Sequence, residues 1–115
     1  MKTPKILVID DDYDSLEICK RILLDESLTV ITHNDGEGAL ELIDQIRPSL
    51  ILTDWDMPGK GGLELIVELQ SNDELSAIPV IVMTGKYTSS NNLRMALEKG
   101  ASDFISKPLN EIELV

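Results

Sequence analysis

The sequence predicts an α/β fold in which five short parallel strands are covered by helices on both faces. Short, β-branched apolar runs alternate along the whole chain with segments whose apolar residues recur at helical spacing. The first, third and fourth runs are almost wholly apolar, which is typical of parallel strands buried on both faces. Strands that alternate with helices in this way are joined by right-handed crossovers, and they form a sheet between two helical layers.

Each element has its own signal in the sequence. The predicted strands are residues 6–9, 28–32, 50–53, 80–83 and 103–105. The apolar positions of the four predicted helices are Leu16, Cys19 and Leu23, then Ala39, Ile43 and Ile46, then Leu63, Ile66 and Val67, and finally Leu93, Ala96 and Leu97. Pro48 and Pro79 stand just before the third and fourth strands, and Gly100 stands where the fourth helix should end. We expect Gly38 to lie inside the second helix, at a cost of up to about 1 kcal/mol relative to alanine.

Composition limits both the size of the protein and its partners. A chain of 115 residues with 43% hydrophobic content predicts one domain over residues 1–115. The apolar runs are too short for a transmembrane helix and the first residues do not form a signal peptide, so we expect a cytoplasmic protein. The net charge of −11 disfavours direct binding to nucleic acid or to an anionic membrane.

The chain has one cysteine, Cys19, and one histidine, His33. One cysteine allows no internal disulfide, and together the two residues cannot form a zinc cluster. Cys19 lies among apolar residues of the first helix, which predicts a buried thiol rather than a catalytic one. We expect His33 at the surface.

Polar side chains follow four of the five predicted strands. They are Asp10, Asp11 and Asp12 after the first strand, Asp54 and Asp56 after the third, Thr84 after the fourth and Lys107 after the fifth. In an open α/β sheet, ligands bind beyond the carboxyl ends of the strands, where the strand order reverses. These side chains should therefore converge on one edge of the sheet.

The residue types at this edge indicate a magnesium and phosphoryl site. At a separation of about 4 Å and an effective dielectric constant near 20, two carboxylates repel by roughly 4 kcal/mol, and a divalent cation would remove that repulsion. Carboxylate oxygens suit Mg²⁺, whereas softer metals prefer ligands that are missing from these motifs. The ammonium of Lys107 and the hydroxyl of Thr84 suit a phosphoryl group. Asp54, directly after a buried strand, is the best candidate for a nucleophile that forms an aspartyl phosphate.

Four motifs carry a resemblance to a known family. They are "ILVIDDD", "LILTDWDMPGKGG", "PVIVMTG" and "GASDFISKPL", one at each of four strands and in this order. With them, the chain resembles the response-regulator receiver domains of two-component signalling, such as the chemotaxis regulators. The resemblance implies a flavodoxin-like, doubly wound five-stranded sheet in the order 2-1-3-4-5. Only seven residues follow Pro108, so we expect a truncated fifth helix and a chain cut from a longer protein.

The resemblance also implies roles for the acidic residues. Asp54 would be the phosphoacceptor and also a magnesium ligand. Asp11 would bind Mg²⁺ directly, Asp10 would act mainly through a metal-bound water, and the main-chain carbonyl of Asp56 would complete the protein ligands. Asp12 has a different expectation, because its side chain can cap the first helix.

Three further roles follow from the resemblance. Lys107 would pair with the phosphoryl group, and the hydroxyl of Thr84 would turn towards it. Phe104 would be the aromatic partner of that movement, with core packing alone as the alternative for an aromatic residue in a strand. Thr53 precedes the acceptor where the family usually has an aliphatic residue, so we expect a slightly more polar strand end.

The function implied is a phosphorylation switch rather than a turnover enzyme, although the domain would catalyse its own phosphorylation and dephosphorylation. The donor would be the phosphohistidine of a sensor histidine kinase or of a histidine phosphotransfer protein, and an output domain, an effector or a homodimer would respond. Two alternatives stay open at this point. A magnesium-dependent phosphatase that forms an aspartyl phosphate would also use acids two residues apart, as Asp54 and Asp56 are. An FMN-binding flavodoxin-like protein would share the fold.

Overall fold

The computed structural model describes residues 4–24, 28–34, 36–55, 61–84 and 90–106, and it confirms the predicted α/β architecture. The strands are β1 (Lys5–Ile9), β2 (Thr29–His33), β3 (Leu50–Asp54), β4 (Val80–Thr84) and β5 (Asp103–Ser106). The helices are α1 (Tyr13–Leu24), α2 (Ala39–Ile46), α3 (Gly62–Gln70) and α4 (Ser90–Lys99). Apolar runs therefore located every strand to within about one residue at each end.

The five strands form one parallel sheet in the order β2-β1-β3-β4-β5. This is the order that the resemblance implied. The chain runs from β1 outward to β2 and then returns to β3 on the other side of β1, so the strand order reverses between β1 and β3. Ile9 pairs with Thr53 in that register, so the next residues, Asp10 just after β1 and Asp54 at the end of β3, lie side by side.

Two apolar layers cover the sheet, one on each face. Alternate residues of β1 serve the two layers, because successive side chains of a strand point to opposite faces. Leu7 and Ile9 pack in the layer under α2, α3 and α4, and Ile6 and Val8 pack in the layer under α1. The helices contribute Ile43, Leu65, Leu69 and Ala96 to the first layer and Leu16, Cys19 and Leu23 to the second.

The sole cysteine lies inside the layer under α1. Cys19 is fully buried, and its Sγ lies 4.0 Å from the Sδ of Met83 in β4. The prediction of a buried helical thiol is confirmed.

The ends of α1 and α4 also match the sequence. The carboxylate of Asp12 accepts the backbone N–H of Asp14 at 3.0 Å and the hydroxyl of Ser15 at 3.3 Å, so the predicted cap is confirmed. At the end of α4, the Ala101 N–H donates to the Ala96 carbonyl at 2.9 Å and the Gly100 N–H donates to the Leu97 carbonyl at 3.3 Å. These two bonds close the helix at the predicted glycine.

The expectation for Gly38 is wrong. α2 begins at Ala39, and Gly38 is its N-cap residue with a φ of 75°. This left-handed conformation is strained for residues with a Cβ, so glycine favours the turn instead of weakening a helix. The helical spacing of the apolar residues marked the buried face of α2 but not its first residue.

An exposed ion-pair network ties the end of α2 to the segment that leads into β4. Arg47 has a φ of 48°, and its Nη2 lies 2.8 Å from a carboxylate oxygen of Glu74 and 2.6 Å from one of Asp44. The Arg47 guanidinium donates hydrogen bonds to the carboxylates of Glu74 and Asp44, and these bonds, that to Glu74 first, raise its pKa.

Several predictions fall on residues outside the described ranges. They include the truncated fifth helix, Lys107 and Asp56. Within the described ranges, no helix combines the length and apolar composition that crossing a bilayer requires.

Candidate functional site

Three carboxylates meet at the point where the strand order reverses. Asp10 and Asp11 follow β1, Asp54 ends β3, and one carboxylate oxygen of each lies within 4.8 Å of the others. The strand register explains this proximity. Because Ile9 pairs with Thr53, the ends of β1 and β3 lie next to each other in the sheet. The structure therefore brings together three residues that the sequence placed at one edge.

Asp10 is held from two directions. Its backbone N–H donates to the carbonyl of His33 in β2 at 3.1 Å, and its Oδ1 accepts the backbone N–H of Asp12 at 3.0 Å. Asp10 is fully buried, whereas Asp11 is exposed. The cluster thus has a fixed inner carboxylate and an outer one that faces solvent.

The backbone beyond Asp54 is fixed by β4 and by the start of α3. The N–H of Trp55 donates to the carbonyl of Met83 at 3.1 Å, and the N–H of Gly62 donates to the carbonyl of Trp55 at 3.0 Å. A Cβ at Gly62 would lie only 2.7 Å from the carbonyl oxygen of Asp54. Sequence reasoning missed this positioning role of Gly62, whose only signal was a glycine pair at the start of a helix.

Thr84 lies beside the cluster at the end of β4. It follows Met83, the residue that pairs with Asp54 in the sheet, and it is only 2% exposed. Its hydroxyl donates to the carbonyl of Ile105 in β5 at 3.4 Å. In this conformation the hydroxyl therefore links β4 to β5.

This site belongs to a chain that matches a family model over nearly its whole length. The match is to the response regulator receiver domain, over residues 6–115. The chain belongs to the receiver domain family. That membership decides against the phosphatase and FMN-binding alternatives.

Two curated relatives illustrate the similarity of the receiver domain to longer proteins. It is 34% identical to the DNA-binding response regulator MtrA of Mycobacterium tuberculosis (strain H37Rv) and 37% identical to the transcriptional regulatory protein CpxR of Escherichia coli (strain K12), each over 111 residues. Both alignments cover 96% of this chain, but only 47% of MtrA and 46% of CpxR. The chain spans about half the length of these relatives.

Solved structures show the same fold. The receiver domain is similar to the Vibrio cholerae chemotaxis protein CheY4, with a TM-score of 0.89, 25% identity, and coverage of 98% of this chain and 93% of that chain. It is also similar to the signal receiver domain of a histidine kinase from Syntrophus aciditrophicus, with a TM-score of 0.87, 31% identity, and coverage of 97% and 84%.

Phe104, the predicted aromatic partner of Thr84, lies within the described part of the receiver domain. It is half-buried and packs against the layer under α2, α3 and α4, next to Val82 in the register. Core packing is therefore part of its role. Lys107 and Asp56, the other two predicted site residues, lie outside the described ranges.

A groove between α1 and the end of β2 was not foreseen from the sequence. It has a volume of about 380 Å³ and is lined by Tyr13, Leu16, Glu17, Thr32, His33 and Asn34. The side chain of Asn34 donates to the hydroxyl of Tyr13 at 2.8 Å, and the Nε2 of His33 donates to the carbonyl of Glu37 at 2.9 Å. His33, expected at the surface, is half-buried because of this local packing.

Proposed function

We propose that this receiver domain accepts a phosphoryl group on the carboxylate of Asp54. The donor is the phosphohistidine of a sensor histidine kinase or of a histidine phosphotransfer protein. A carboxylate oxygen of Asp54 attacks the phosphorus, the bond from phosphorus to the histidine nitrogen breaks, and the nitrogen keeps the electron pair. Support comes from the position of Asp54, which ends β3 beside the reversal of strand order.

Four residues would hold Mg²⁺: Asp10, Asp11 and Asp54 through their carboxylates, and Asp56 through its main-chain carbonyl. Asp11 would bind the ion directly, and Asp10 would act mainly through a water molecule. The donor set fits, because three carboxylate oxygens lie within 4.8 Å of one another and Mg²⁺ prefers hard oxygen ligands. When bound, the ion supplies positive charge that offsets the repulsion among the carboxylates and the incoming phosphoryl group.

Thr84 and Lys107 stabilise the phosphorylated state. The ammonium of Lys107 pairs with the phosphoryl oxygens, and the hydroxyl of Thr84 exchanges the Ile105 carbonyl for one of them. That exchange frees the link between β4 and β5 and allows Phe104 to change its rotamer. Phosphorylation thus shifts an equilibrium between two arrangements of this surface.

The altered surface is recognised by an output domain, an effector protein or a second copy of the domain. The domain works in the cytoplasm as a switch, and it takes part in its own phosphorylation and dephosphorylation. Its net charge of −11 disfavours direct contact with nucleic acid or an anionic membrane. A DNA-binding activity such as that of MtrA would belong to a separate output domain.

The observation that carries the proposal is the three-carboxylate cluster at the reversal of strand order. The test is labelling by acetyl phosphate with Mg²⁺ or with EDTA, followed by mapping of the modified residue. In the presence of Mg²⁺, wild type should be labelled on Asp54, and in EDTA it should not be labelled. Asp54→Asn should abolish the labelling. Asp73→Asn removes an exposed charge from the segment between α3 and β4, and this variant should still be labelled. Labelling that persists in Asp54→Asn, or in EDTA, would contradict the proposal.

A further inference from the structure

Thr53 is a polar residue in an apolar position. It is fully buried in β3, and its partners in the register, Ile9 of β1 and Val82 of β4, are fully buried too. Burial of a hydroxyl among apolar neighbours is unfavourable unless the hydroxyl forms a hydrogen bond. A valine would fit the same space without that requirement, so the hydroxyl calls for an explanation.

The hydroxyl is hydrogen-bonded to the backbone of the proposed acceptor. The Oγ1 of Thr53 donates to the carbonyl oxygen of Asp54 at 3.2 Å. The N–H of the same peptide group, which belongs to Trp55, donates to the carbonyl of Met83 at 3.1 Å. The peptide group that joins Asp54 to Trp55 is therefore held at its oxygen by Thr53 and at its nitrogen by β4.

This peptide group fixes the backbone on the carboxyl side of Asp54. Its plane sets the ψ angle of Asp54, and with it the direction in which the chain continues. The register with β1 ends at the pair of Ile9 and Thr53, so Asp54 lies one residue beyond the last paired position on that side. The hydroxyl of Thr53 thus supplies a restraint where the ladder to β1 has ended.

We propose that Thr53 is a positioning residue for the metal and phosphoryl site. It contacts neither group, and it acts by holding the Asp54–Trp55 peptide so that the carboxylate of Asp54 stays in register with Asp10 and Asp11. This inference rests on the proposed function of Asp54. Its physical content, a hydroxyl that restrains one peptide group, also holds in the metal-free protein.

The test compares Thr53→Val, which removes the hydroxyl at nearly constant volume, with Thr53→Ser, which keeps it. Thr29→Val is the matched control, because Thr29 is an exposed threonine in the edge strand β2. Loss of one hydrogen bond predicts that Thr53→Val lowers the affinity for Mg²⁺ and the rate of phosphorylation by acetyl phosphate about threefold to tenfold. Calorimetric titration and labelling kinetics measure the two effects. Thr53→Ser and Thr29→Val should stay within about twofold of wild type.

A second measurement needs neither metal nor phosphoryl group. In the metal-free protein, the amide hydrogen of Trp55 should exchange with solvent faster in Thr53→Val than in wild type or Thr53→Ser, because one end of its peptide group has lost its restraint. Should Thr53→Val not fold, Thr53→Ala, which adds no new methyl contact, provides the same comparisons.

The outcomes separate the two proposals. A wild-type protein that binds no Mg²⁺ and is not labelled would overturn the proposed function, and the Trp55 exchange rates would then still decide the restraint by Thr53. Normal wild-type behaviour with an unchanged Thr53→Val would overturn the role of Thr53 alone. A change in unfolding midpoint without any change in Mg²⁺ affinity or Trp55 exchange would show a merely structural residue, and would also overturn it.

Discussion

The carboxylates of the site differ in their exposure to water. Asp10 is fully buried and Asp54 is 9% exposed, whereas Asp11 faces solvent. A buried carboxylate needs donors or a cation to stabilise its charge, and the Asp12 N–H is one such donor for Asp10. Repulsion among these carboxylates therefore lowers the free energy of unfolding of the metal-free protein.

The effect of Asp11→Asn on the free energy of unfolding should change sign when Mg²⁺ is added. In EDTA the substitution should raise the free energy of unfolding by about 1 kcal/mol, because one charge of the cluster is lost at an exposed position. With Mg²⁺ at 100 times its dissociation constant, wild type should gain about 2.7 kcal/mol, and the variant should gain much less. Urea unfolding under both conditions measures these differences.

The control is again Asp73→Asn, which removes an exposed charge far along the chain from the cluster. Its gain from Mg²⁺ should equal that of wild type. If Asp11→Asn gained as much from Mg²⁺ as wild type does, Asp11 would not be a ligand.

At the scale of elements, the start of α3 is packed directly against the end of β3. Gly62 approaches the carbonyl of Asp54 so closely that a Cβ would lie 2.7 Å from it, and 3.3 Å from the Cα of Trp55. Both contacts are with backbone, which cannot rotate away as a flexible side chain can. The position of α3 and the geometry of the proposed acceptor are therefore coupled.

Gly62→Ala should disturb both stability and phosphorylation. Relief of the contact requires a shift of the backbone, so we expect a loss of about 1–3 kcal/mol in the free energy of unfolding and slower labelling of Asp54 by acetyl phosphate. Gly38→Ala is the matched control, because its Cβ would meet nothing within 4 Å and only its φ of 75° is unfavourable. It should cost about 1 kcal/mol and leave the labelling rate unchanged. Equal labelling of both variants would show that α3 does not position Asp54.

Elements were predictable from the sequence to the extent that their signals were local. Apolar runs located the strands, and the acids after β1 and β3 could be assigned to one edge because parallel strands share their carboxyl ends. The roles of Gly62 and Gly38 could not be predicted. The first depends on a contact between α3 and β3, and the second depends on a backbone angle that helical spacing does not report. The bond from Thr84 to Ile105 depends on a side-chain rotamer.

At the scale of the whole molecule, negative charge is in large excess. The chain carries 21 acidic and 10 basic residues, for a net charge of −11. Such an excess destabilises a compact state through self-repulsion. The exposed ion pairs around Arg47 stabilise the folded state by attraction. Salt screens both interactions, so it should relieve the repulsion and weaken the ion pairs.

The response to simple salt should show which of these effects dominates. Going from 0.01 M to 0.15 M KCl shortens the Debye length from about 30 Å to about 8 Å. With EDTA present, we expect the midpoint of thermal unfolding to rise by about 2–5 °C, because repulsion is spread over the whole surface. A falling midpoint would mean that ion pairs such as Arg47 with Glu74 outweigh the repulsion. Arg47→Met, which removes the network, should then abolish the fall.

The placement of Cys19 makes breathing of the α1 layer measurable. The only thiol of the chain belongs to α1 and is fully buried on the side of the helix that faces the sheet, against Met83, the neighbour of Thr84. A thiol-specific reagent can modify it only when α1 separates transiently from the sheet. The rate of modification would thus report how often α1 separates from the sheet in the native protein. Its change upon phosphorylation would show whether phosphorylation of Asp54 weakens or strengthens the packing of α1 on the sheet.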